Sequence, residues 1–233
     1  MSLVNCKHVF FDLDHTLWDF ERNSVETLSE LYHEFDIGVL SNESLETFLE
    51  VFKEVNAKLW DMFNRNKIEK FYIRQRRFEL VFHALDVAVE DVPEGIAELY
   101  LQRCPLKPHL LPYTVEILDY LKGKYELHIL SNGFGDVQET KLRNSGIFDY
   151  FQVIVNSEST GFKKPDRRIF DYALEQANAN VEESVMIGDN LRTDMAGARG
   201  IGMRHVFFNP GQLEHFQHID FEINHLKELE ALL

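Results

Sequence analysis

Residues 9–18 read Val9-Phe-Phe-Asp12-Leu-Asp14-His-Thr16-Leu-Trp18, in which two carboxylates follow an apolar run directly. The run is typical of a buried β-strand, and ligands of open α/β sheets bind at the carboxyl ends of the strands. If the strand continues, Asp12 and Asp14 point to the same side and Leu13 points to the other. The pair indicates either a nucleophile beside an acid–base group or a helix cap, a role that Asp also fills well.

The composition indicates a folded protein and disfavours binding to nucleic acids and to anionic membranes. The 233 residues are 45% hydrophobic and 12% aromatic, enough for a sizeable packed core. The formal net charge of −15 disfavours nucleic-acid backbones and anionic membranes, so neither is expected as a partner. A phosphorylated small molecule is compatible with this charge, provided that a metal ion and a few placed cations neutralise its phosphate locally.

The cysteines and the N-terminal segment favour a cytoplasmic protein. Cys6 and Cys104 lack the spacing of a disulfide framework or a zinc site. We expect both to be small buried hydrophobic side chains. Residues 1–8 lack the apolar region and the cleavage site of a signal peptide, and no apolar run approaches the ~20 residues that span a membrane.

The chain contains two patterns, of which the first is helical. From about Phe20 to about Cys104, apolar residues recur at helical spacing. This spacing predicts a small bundle of four helices, over residues 25–35, 45–59, 71–85 and 92–101. Asp91 and Pro93 are placed as the start of the last helix.

After Pro105 the pattern changes to strands that alternate with helices. Strands are predicted over residues 126–130, 152–155, 184–187, 203–208 and 221–223. Helices are predicted over residues 113–121, 137–144, 168–177, 193–199 and 226–232. Such alternation implies right-handed crossovers and a mostly parallel sheet, hence an α/β protein. The strand near Val9 needs a partner and joins this sheet, so the helical block is an insertion after the first strand.

Four strand ends in the α/β part carry polar residues. In chain order they are Asp12-Leu-Asp14-His-Thr16, Ser131-Asn132-Gly133, Lys164-Pro165-Asp166 and Gly188-Asp189-Asn-Leu-Arg-Thr-Asp194. Taken singly, each has an ordinary explanation, because such residues are common in turns and a lone lysine is usually solvated. Their order, at the carboxyl ends of alternating strands, favours one shared site.

This arrangement resembles the haloacid dehalogenase superfamily, whose members are mostly phosphohydrolases. The resemblance covers the whole α/β part, with all four family motifs in order, and it implies a Rossmann-like parallel-sheet core. The helical insertion resembles the superfamily's C1-type cap, which gives a core of residues 1–17 plus 105–233 and a cap of residues 18–104. Residues 131–134 and 164–177 are most similar to the pyrimidine 5′-nucleotidase group, which is linked to the removal of non-canonical nucleotides.

The resemblance assigns roles to the two carboxylates of the first motif. Asp12 is the expected nucleophile, which forms an aspartyl-phosphate. Asp14 is the expected acid–base residue: it protonates the departing alkoxide and then takes a proton from the hydrolytic water. To act as an acid, Asp14 must hold a proton near neutral pH, and we expect neighbouring carboxylates to raise its pKa.

The next two motifs supply groups that bind the phosphate. By resemblance, the hydroxyl of Ser131 and the main-chain N–H of Asn132 donate to phosphoryl oxygens. Lys164 neutralises charge on Asp12 and on the phosphate. It is chosen over Lys163 because the family lysine directly precedes the proline.

The last motif predicts a bound cation. Asp189 and Asp194 add two negative charges to the edge that holds Asp12, and like charges ~4 Å apart repel by ~4 kcal/mol at an effective dielectric constant of about 20. Oxygen ligands favour Mg²⁺ over zinc or copper. The resemblance implies that Asp12, the backbone carbonyl of Asp14, and Asp189 bind the metal directly. Asp194 is expected to orient Lys164 or a metal-bound water.

These roles predict Mg²⁺-dependent hydrolysis of a phosphomonoester, with a nucleoside 5′-monophosphate as the favoured substrate. A sugar-phosphate phosphatase or a phosphomutase is the alternative, because the aspartyl-phosphate chemistry is shared. The dehalogenase branch attacks carbon and normally lacks the second carboxylate, so Asp14 argues against it. A catalytically silent binding protein is disfavoured because no motif residue is missing. The oligomeric state stays open.

Some residues in and before the insertion are candidates for substrate contact. Trp18 or Phe20 could stack on a base, although a buried contact at the hinge is at least as consistent with the pattern. Arg74 and Arg77 share one face of a predicted helix. We expect this face either to contact the substrate or to be solvated.

Overall fold

The structure is a computed structural model that describes residue 3 and residues 5–233. The chain divides into two units, which are described separately. Unit 1 combines the described residues up to Phe20 with Pro108–Leu233, and unit 2 is Glu21–Lys107. The divisions after residues 20 and 107 lie close to the predicted boundaries after residues 17 and 104.

The described residues form strands and helices in an alternating order outside unit 2. The strands are β1 (His8–Phe11), β2 (Glu126–Ser131), β3 (Val153–Asn156), β4 (Ser184–Gly188), β5 (Arg204–Phe208) and β6 (Phe221–Ile223). The α-helices are α1 (Phe20–Glu34), α2 (Ile37–Ser41), α3 (Leu45–Asn64), α4 (Lys70–Ala84), α5 (Ile96–Arg103), α6 (Thr114–Leu121), α7 (Gly135–Asn144), α8 (Ser157–Thr160), α9 (Arg167–Gln176) and α10 (Ala196–Ile201).

All six strands of the described residues form one parallel sheet in unit 1, in the order β3-β2-β1-β4-β5-β6. β1 occupies its middle: Phe10 pairs with His128 of β2 on one side and with Met186 of β4 on the other. Both faces are covered, because Val9, Phe10 and Phe11 are all fully buried, as expected for a parallel sheet flanked by helices. The predicted α/β class with a Rossmann-like parallel core is confirmed.

One face of the sheet packs on α9 and α10. Its buried cluster contains Phe10, Leu130, Val155, Ile169, Phe170, Met186, Met195, Met203 and Phe207. Burying one such large apolar side chain contributes roughly 1.5–3 kcal/mol. Gly197 lets α10 approach closely, because a Cβ there would lie 2.3 Å from the ring of Phe170. This packing fixes the strands whose carboxyl ends carry the predicted motifs.

Two predicted helices of unit 1 differ in detail from the structure. Residues 193–199 were expected to form one helix, but Leu191–Met195 is a π turn that leads into α10. The side chain of Asn190 caps this turn by accepting the N–H groups of Arg192 and Thr193. The closing segment Leu226–Ala231 is a 3₁₀ helix. None of the helices formed by the described residues is long and apolar enough to cross a membrane.

Unit 2 has a core of aromatic side chains from α3 and α4. Ser44 caps the start of α3: its hydroxyl accepts the N–H of Thr47 and so satisfies a donor that has no partner within the helix. The helices α3 and α4 bury the aromatic residues Phe48, Phe52, Phe63, Phe78 and Phe82. Buried residues recur at every turn of α3, as expected for a helix that packs one face against a core.

The last helix of unit 2 begins later than predicted. The expected start at Asp91 and Pro93 is wrong, because Val89–Asp91 forms a 3₁₀ turn and α5 begins at Ile96. Gly95 precedes it with a φ of 82°, a left-handed conformation that glycine adopts without steric cost. The helix thus starts directly after Gly95, two residues later than a start directly after Pro93 would place it.

Arg77 lies in the core of unit 2. Its side chain is 4% exposed, and its guanidinium carbon lies 4.5 Å from the ring centroid of Tyr100 and 5.4 Å from that of Phe52. Nη1 donates to Oδ1 of Asn56 at 3.1 Å. Cation–π contacts and one hydrogen bond replace the water that burial removed. The expectation of a solvated face for Arg74 and Arg77 is therefore wrong for Arg77.

Arg77→Ala is expected to lower the free energy of unfolding by about 2–4 kcal/mol, because it leaves a cavity among aromatic rings and removes the partner of Asn56. Chemical denaturation followed by far-UV circular dichroism measures this change. Arg76→Ala is the matched control, since Arg76 is half-exposed and pairs with Glu79 on the surface, where we expect a change within ~0.5 kcal/mol. Equal effects in the two variants would contradict the structural role of Arg77.

Two histidines, of which His128 is buried and His8 half-buried, form a pair on β1 and β2. Nδ1 of His8 lies 3.2 Å from Nε2 of His128, and the rings stack with centroids 5.4 Å apart. Burial, with a further contribution from the charge of His8, lowers the pKa of His128 to about 4. Burial also lowers the pKa of His8. Both rings are therefore neutral at pH 7.

We expect this pair to destabilise the protein in acid. Between about pH 6.5 and pH 4 the unfolded chain binds a proton that folded His128 excludes, so this contribution to stability is complete above pH 6.5 and lost as the pH falls. The loss amounts to about 3 kcal/mol. Urea denaturation across this pH range measures it, with His128→Gln as the comparison. Wild type should lose more stability than the variant, and parallel pH profiles would contradict the prediction.

Candidate active site

Three adjacent strands end in polar residues at one edge of the sheet. Asp12 follows β1 directly, and its backbone N–H donates to the carbonyl of Ile187 at 2.9 Å. Ser131 is the last residue of β2, and Asp189 follows Gly188, the last residue of β4. The chain places β2 and β3 on one side of β1 and the later strands on the other. The edge at β1 is therefore a topological switch point, where open α/β sheets bind their ligands.

Lys164 brings a buried ammonium group to this edge. Its side chain is 1% exposed, and Nζ lies 2.9 Å from Oδ1 of Asp12, 2.7 Å from Oδ1 of Asp194 and 2.6 Å from the carbonyl oxygen of Leu130. Burial alone would lower the pKa of Lys164, but the two carboxylates raise it above its ordinary value. Lys164 is therefore a fixed positive charge whose partners replace its lost water.

The side chain of Asn132 holds the backbone of Lys164. Oδ1 of Asn132 accepts the N–H of Lys164 at 2.7 Å, and Nδ2 donates to the carbonyl of Lys164 at 3.0 Å. The loop after β2 thus fixes the loop that carries the lysine. Sequence analysis assigned Asn132 only a main-chain donor, which stays a prediction, and the structure adds this side-chain contact.

Asp194 is fully buried behind the lysine. Its Oδ1 contacts Nζ of Lys164, and its Oδ2 accepts the N–H of Asn190 at 3.1 Å. Gly188 makes room for this carboxylate, because a Cβ at that position would lie 2.3 Å from Oδ2. The geometry fits the lysine-orienting role that was one of the two expected for Asp194.

The surplus of negative charge at this edge fits a cation. Carboxylate oxygens of Asp12, Asp189 and Asp194 lie within 4.8 Å of one another around the ammonium of Lys164. Burial raises the pKa of Asp12 to about 7, with Lys164 opposing the effect and Asp194 adding to it. Burial, then the charges of Asp12 and Asp194, raises the pKa of Asp189 well above its ordinary value. A divalent cation would remove this electrostatic penalty, and carboxylate oxygens are the donors that Mg²⁺ prefers.

Asp14 is paired with a lysine that the sequence did not indicate. Nζ of Lys141 lies 2.5 Å from Oδ1 of Asp14, and Nε2 of Gln138 donates to Oδ2 at 2.9 Å. Burial alone would raise the pKa of Asp14, but the charge of Lys141 and the hydrogen bonds from Lys141 and Gln138 hold it below its ordinary value. The expectation that neighbouring carboxylates raise this pKa is therefore wrong, because a cation contacts the carboxylate.

The hydroxyl of Ser131 belongs to the same network. Its Oγ accepts Nε2 of Gln138 at 2.7 Å and the N–H of Gly133 at 3.0 Å. In both bonds the oxygen is the acceptor, so the hydroxyl hydrogen is left to donate to a ligand oxygen. This arrangement suits the phosphate-binding role predicted for Ser131.

Trp18 is fully buried, which excludes stacking of its ring on a substrate base. The ammonium of Lys141 lies 4.3 Å from the Trp18 ring centroid and 5.9 Å from that of Phe20, which is half-buried. Cation–π contacts of this kind are stronger when the groups are desolvated. Trp18 therefore supports Lys141, and of the two roles that the sequence left open for Trp18 the structure shows the buried contact and not base stacking.

Gln138 and Lys141 are the site residues that sequence analysis missed. They lie three residues apart on α7 and share a face with Leu142, which is fully buried. Polar residues on the apolar face of a predicted helix were the available signal. Their partner Asp14 is more than a hundred residues away in the chain, so spacing gave no indication of the contact.

The parallel α/β core, with carboxylates and a buried lysine at its switch point, is that of a hydrolase. The sequence model of one family, described as haloacid dehalogenase-like hydrolase, matches residues 6–202. The chain belongs to this family, as its four motifs predicted.

Two relatives and one solved structure are similar to nearly the whole chain. Pyrimidine 5′-nucleotidase YjjG of Escherichia coli K12 is 29% identical over 97% of this chain and 96% of its own length. Glyceraldehyde 3-phosphate phosphatase of Pyrococcus furiosus is 29% identical over 97% of this chain and 92% of its own length. The HAD-hydrolase YfnB of Bacillus subtilis, solved with bound magnesium, superimposes with a TM-score of 0.87 at 25% identity and 97% coverage of both chains.

Proposed function

We propose that this protein is a Mg²⁺-dependent phosphatase that acts on nucleoside 5′-monophosphates through an aspartyl-phosphate. The observation that carries the proposal is the contact at the switch point, where the buried ammonium of Lys164 lies 2.9 Å from Oδ1 of Asp12. The similarity to YjjG over nearly the whole chain supports a nucleotide as the substrate. Its partner is thus a small phosphorylated metabolite.

The first step forms a bond between a carboxylate oxygen of Asp12 and the phosphorus atom. The bond from phosphorus to the leaving oxygen breaks, and that oxygen takes a proton from Asp14. In the second step water attacks the phosphorus, Asp14 accepts a proton from this water, and phosphate leaves as Asp12 is regenerated. Because Lys141 holds Asp14 as a carboxylate in the structure, Asp14 has to gain a proton before the first step.

Three groups stabilise the negative charge that moves onto the phosphoryl oxygens. The hydroxyl of Ser131, the main-chain N–H of Asn132 and the ammonium of Lys164 are the proposed donors. Preorganised donors of this kind are effective because they need no rearrangement during the reaction. Mg²⁺, held by Asp12, Asp189 and the backbone carbonyl of Asp14, would supply further charge compensation.

The position of Asp14 supports phosphoryl chemistry over dehalogenation. An alkoxide leaving group needs a proton, whereas a halide does not. A carboxylate kept beside the nucleophile and held by two side chains of α7 therefore suits a phosphomonoester. The complete motif set in one network likewise argues against a silent binding protein.

The test is phosphate release from a panel of nucleoside 5′-monophosphates and sugar phosphates, measured with Mg²⁺ and with EDTA. We expect release from the nucleotides with Mg²⁺ only, and Mg²⁺ should also raise the melting temperature by relieving repulsion among the carboxylates. Release that persists in EDTA would contradict the metal requirement. No release from any compound would overturn the proposed function.

A sugar phosphate is the second candidate substrate. The observation that favours it is the 29% identity to glyceraldehyde 3-phosphate phosphatase over 97% of this chain. If only glyceraldehyde 3-phosphate and other sugar phosphates of the panel are hydrolysed, the proposed mechanism stands and the substrate is a sugar phosphate instead of a nucleotide. Transfer of the phosphate to a second hydroxyl of the same sugar would instead identify a phosphomutase.

A further inference from the structure

We propose that Lys141 and Gln138 are positioning residues that orient the carboxyl group of Asp14 for the leaving oxygen. The inference deepens the proposed function and rests on it, since it concerns the acid–base residue of that reaction. In this role, α7 determines how efficiently Asp14 protonates a leaving oxygen that departs poorly without a proton.

Each oxygen of Asp14 has its own partner on α7. Nζ of Lys141 is 2.5 Å from Oδ1, and Nε2 of Gln138 is 2.9 Å from Oδ2. Two contacts from different directions fix both the position and the rotation of a carboxyl group, which a single ion pair would leave free to turn. The carboxyl plane of Asp14 is therefore set by the helix and not only by its own backbone.

The two α7 residues are themselves immobilised. Gln138 is fully buried, and the side chain of Lys141 is 7% exposed. Nζ of Lys141 also lies 4.3 Å from the ring centroid of Trp18. Gln138 packs against the loop after β2, since a Cβ on Gly133 would lie 1.7 Å from its Nε2. Supporting side chains that are locked by packing hold a catalytic group more accurately than mobile ones.

Gln138 also contacts both the leaving-group side and the phosphate-binding side of the proposed site. The same Nε2 that donates to Asp14 lies 2.7 Å from Oγ of Ser131, the proposed phosphate-binding hydroxyl. One amide group therefore sets the distance between the phosphate side and the leaving-group side of the site. A misplacement of about 1 Å at such a group can lower a rate by about 10²-fold.

The dependence on leaving group tests this role. p-Nitrophenolate leaves without a proton, whereas the 5′-oxygen of a nucleoside needs one. Lys141→Met and Gln138→Met are expected to lower kcat/KM for the nucleoside 5′-monophosphate by roughly 10²-fold, because kcat/KM reports the formation of the aspartyl-phosphate, the step in which Asp14 acts as an acid. For p-nitrophenyl phosphate, Lys141→Met should lose less than about fivefold in kcat/KM, whereas Gln138→Met, which also loses the contact with Ser131, should lose more than Lys141→Met but less than it loses on the nucleotide. Lys141→Arg, which keeps a cation, should recover part of the nucleotide activity.

Arg143→Met is the matched control on the same helix. Arg143 is exposed and pairs with Glu139, so its replacement should leave both substrates unaffected. If Lys141→Met fails to fold, Gln138→Met tests the same carboxyl group through its other oxygen. Circular dichroism and melting temperature show which variants are folded.

The outcomes separate this inference from the proposed function. Equal losses in kcat/KM on both substrates, or unchanged kcat/KM in the folded variants, would overturn the positioning role while wild-type hydrolysis upholds the phosphatase. Wild-type protein that hydrolyses neither substrate would overturn the proposed function and this role together. A selective loss on the nucleotide, with rescue by Lys141→Arg, is the result that supports the inference.

Discussion

Asp12→Asn is expected to lower kcat for phosphate release by at least about 10⁴-fold, because loss of a nucleophile leaves only residual activity from the other groups. An amide has nearly the shape of a carboxyl group but cannot form the acyl-phosphate bond. Steady-state phosphate release with Mg²⁺ and the preferred compound of the panel measures the effect. Activity within tenfold of wild type would contradict the assignment of Asp12 as nucleophile.

Stability separates this chemical effect from misfolding. Burial raises the pKa of Asp12 to about 7, so its ionisation increasingly destabilises the metal-free fold as the pH rises from the unfolded pKa to about 7, and the full penalty remains above that pH. Asn cannot ionise, and the variant should therefore melt no lower than wild type at about pH 8 in EDTA. A clearly lower melting temperature would attribute the lost activity to the fold.

Lys164→Met is expected to lower both activity and stability. Removal of one preorganised charge from the phosphate site should lower kcat by roughly 10²–10³-fold. The buried carboxylates of Asp12 and Asp194 also lose the ammonium that lies 2.9 and 2.7 Å from them. Breaking a buried ion pair from one side costs about 3–5 kcal/mol. Phosphate release and urea denaturation, both on the purified variant, measure the two effects.

Lys163→Met is the control for this prediction, since it removes the neighbouring positive charge in the same loop. We expect its kcat to stay within about twofold of wild type and its stability to change by less than ~1 kcal/mol. Larger losses in Lys163→Met than in Lys164→Met would show that the wrong lysine was assigned.

The strands of the core were predictable because a buried parallel strand needs a continuous apolar run. The run at residues 126–130 became β2, which ends only one residue later, at Ser131. The start of α5 was not predictable in the same way. A proline before a helical stretch is compatible with several starts, and the left-handed backbone of Gly95 decided between them.

The candidate site likewise contains some residues whose proximity was predictable from the sequence and others whose contacts were not. Asp12, Ser131 and Asp189 were predicted to meet because topology alone brings the carboxyl ends of adjacent parallel strands together. The pKa of Asp14 was not predictable from the motif, since its shift comes from Lys141 on a helix formed more than a hundred residues later. A periodic pattern shows which face of α7 is buried but does not name the partner on that face.

The place of β1 in the sheet has a consequence for how the chain is made. β1 lies between β2 and β4, yet the ribosome releases it first, and its neighbours begin only at Glu126 and Ser184. At typical synthesis rates this apolar strand waits for roughly ten seconds or more. Unit 2 is continuous in sequence and is synthesised completely within that time. The nascent chain therefore carries an unpaired, aggregation-prone strand that chaperones are suited to shield until the central strands emerge.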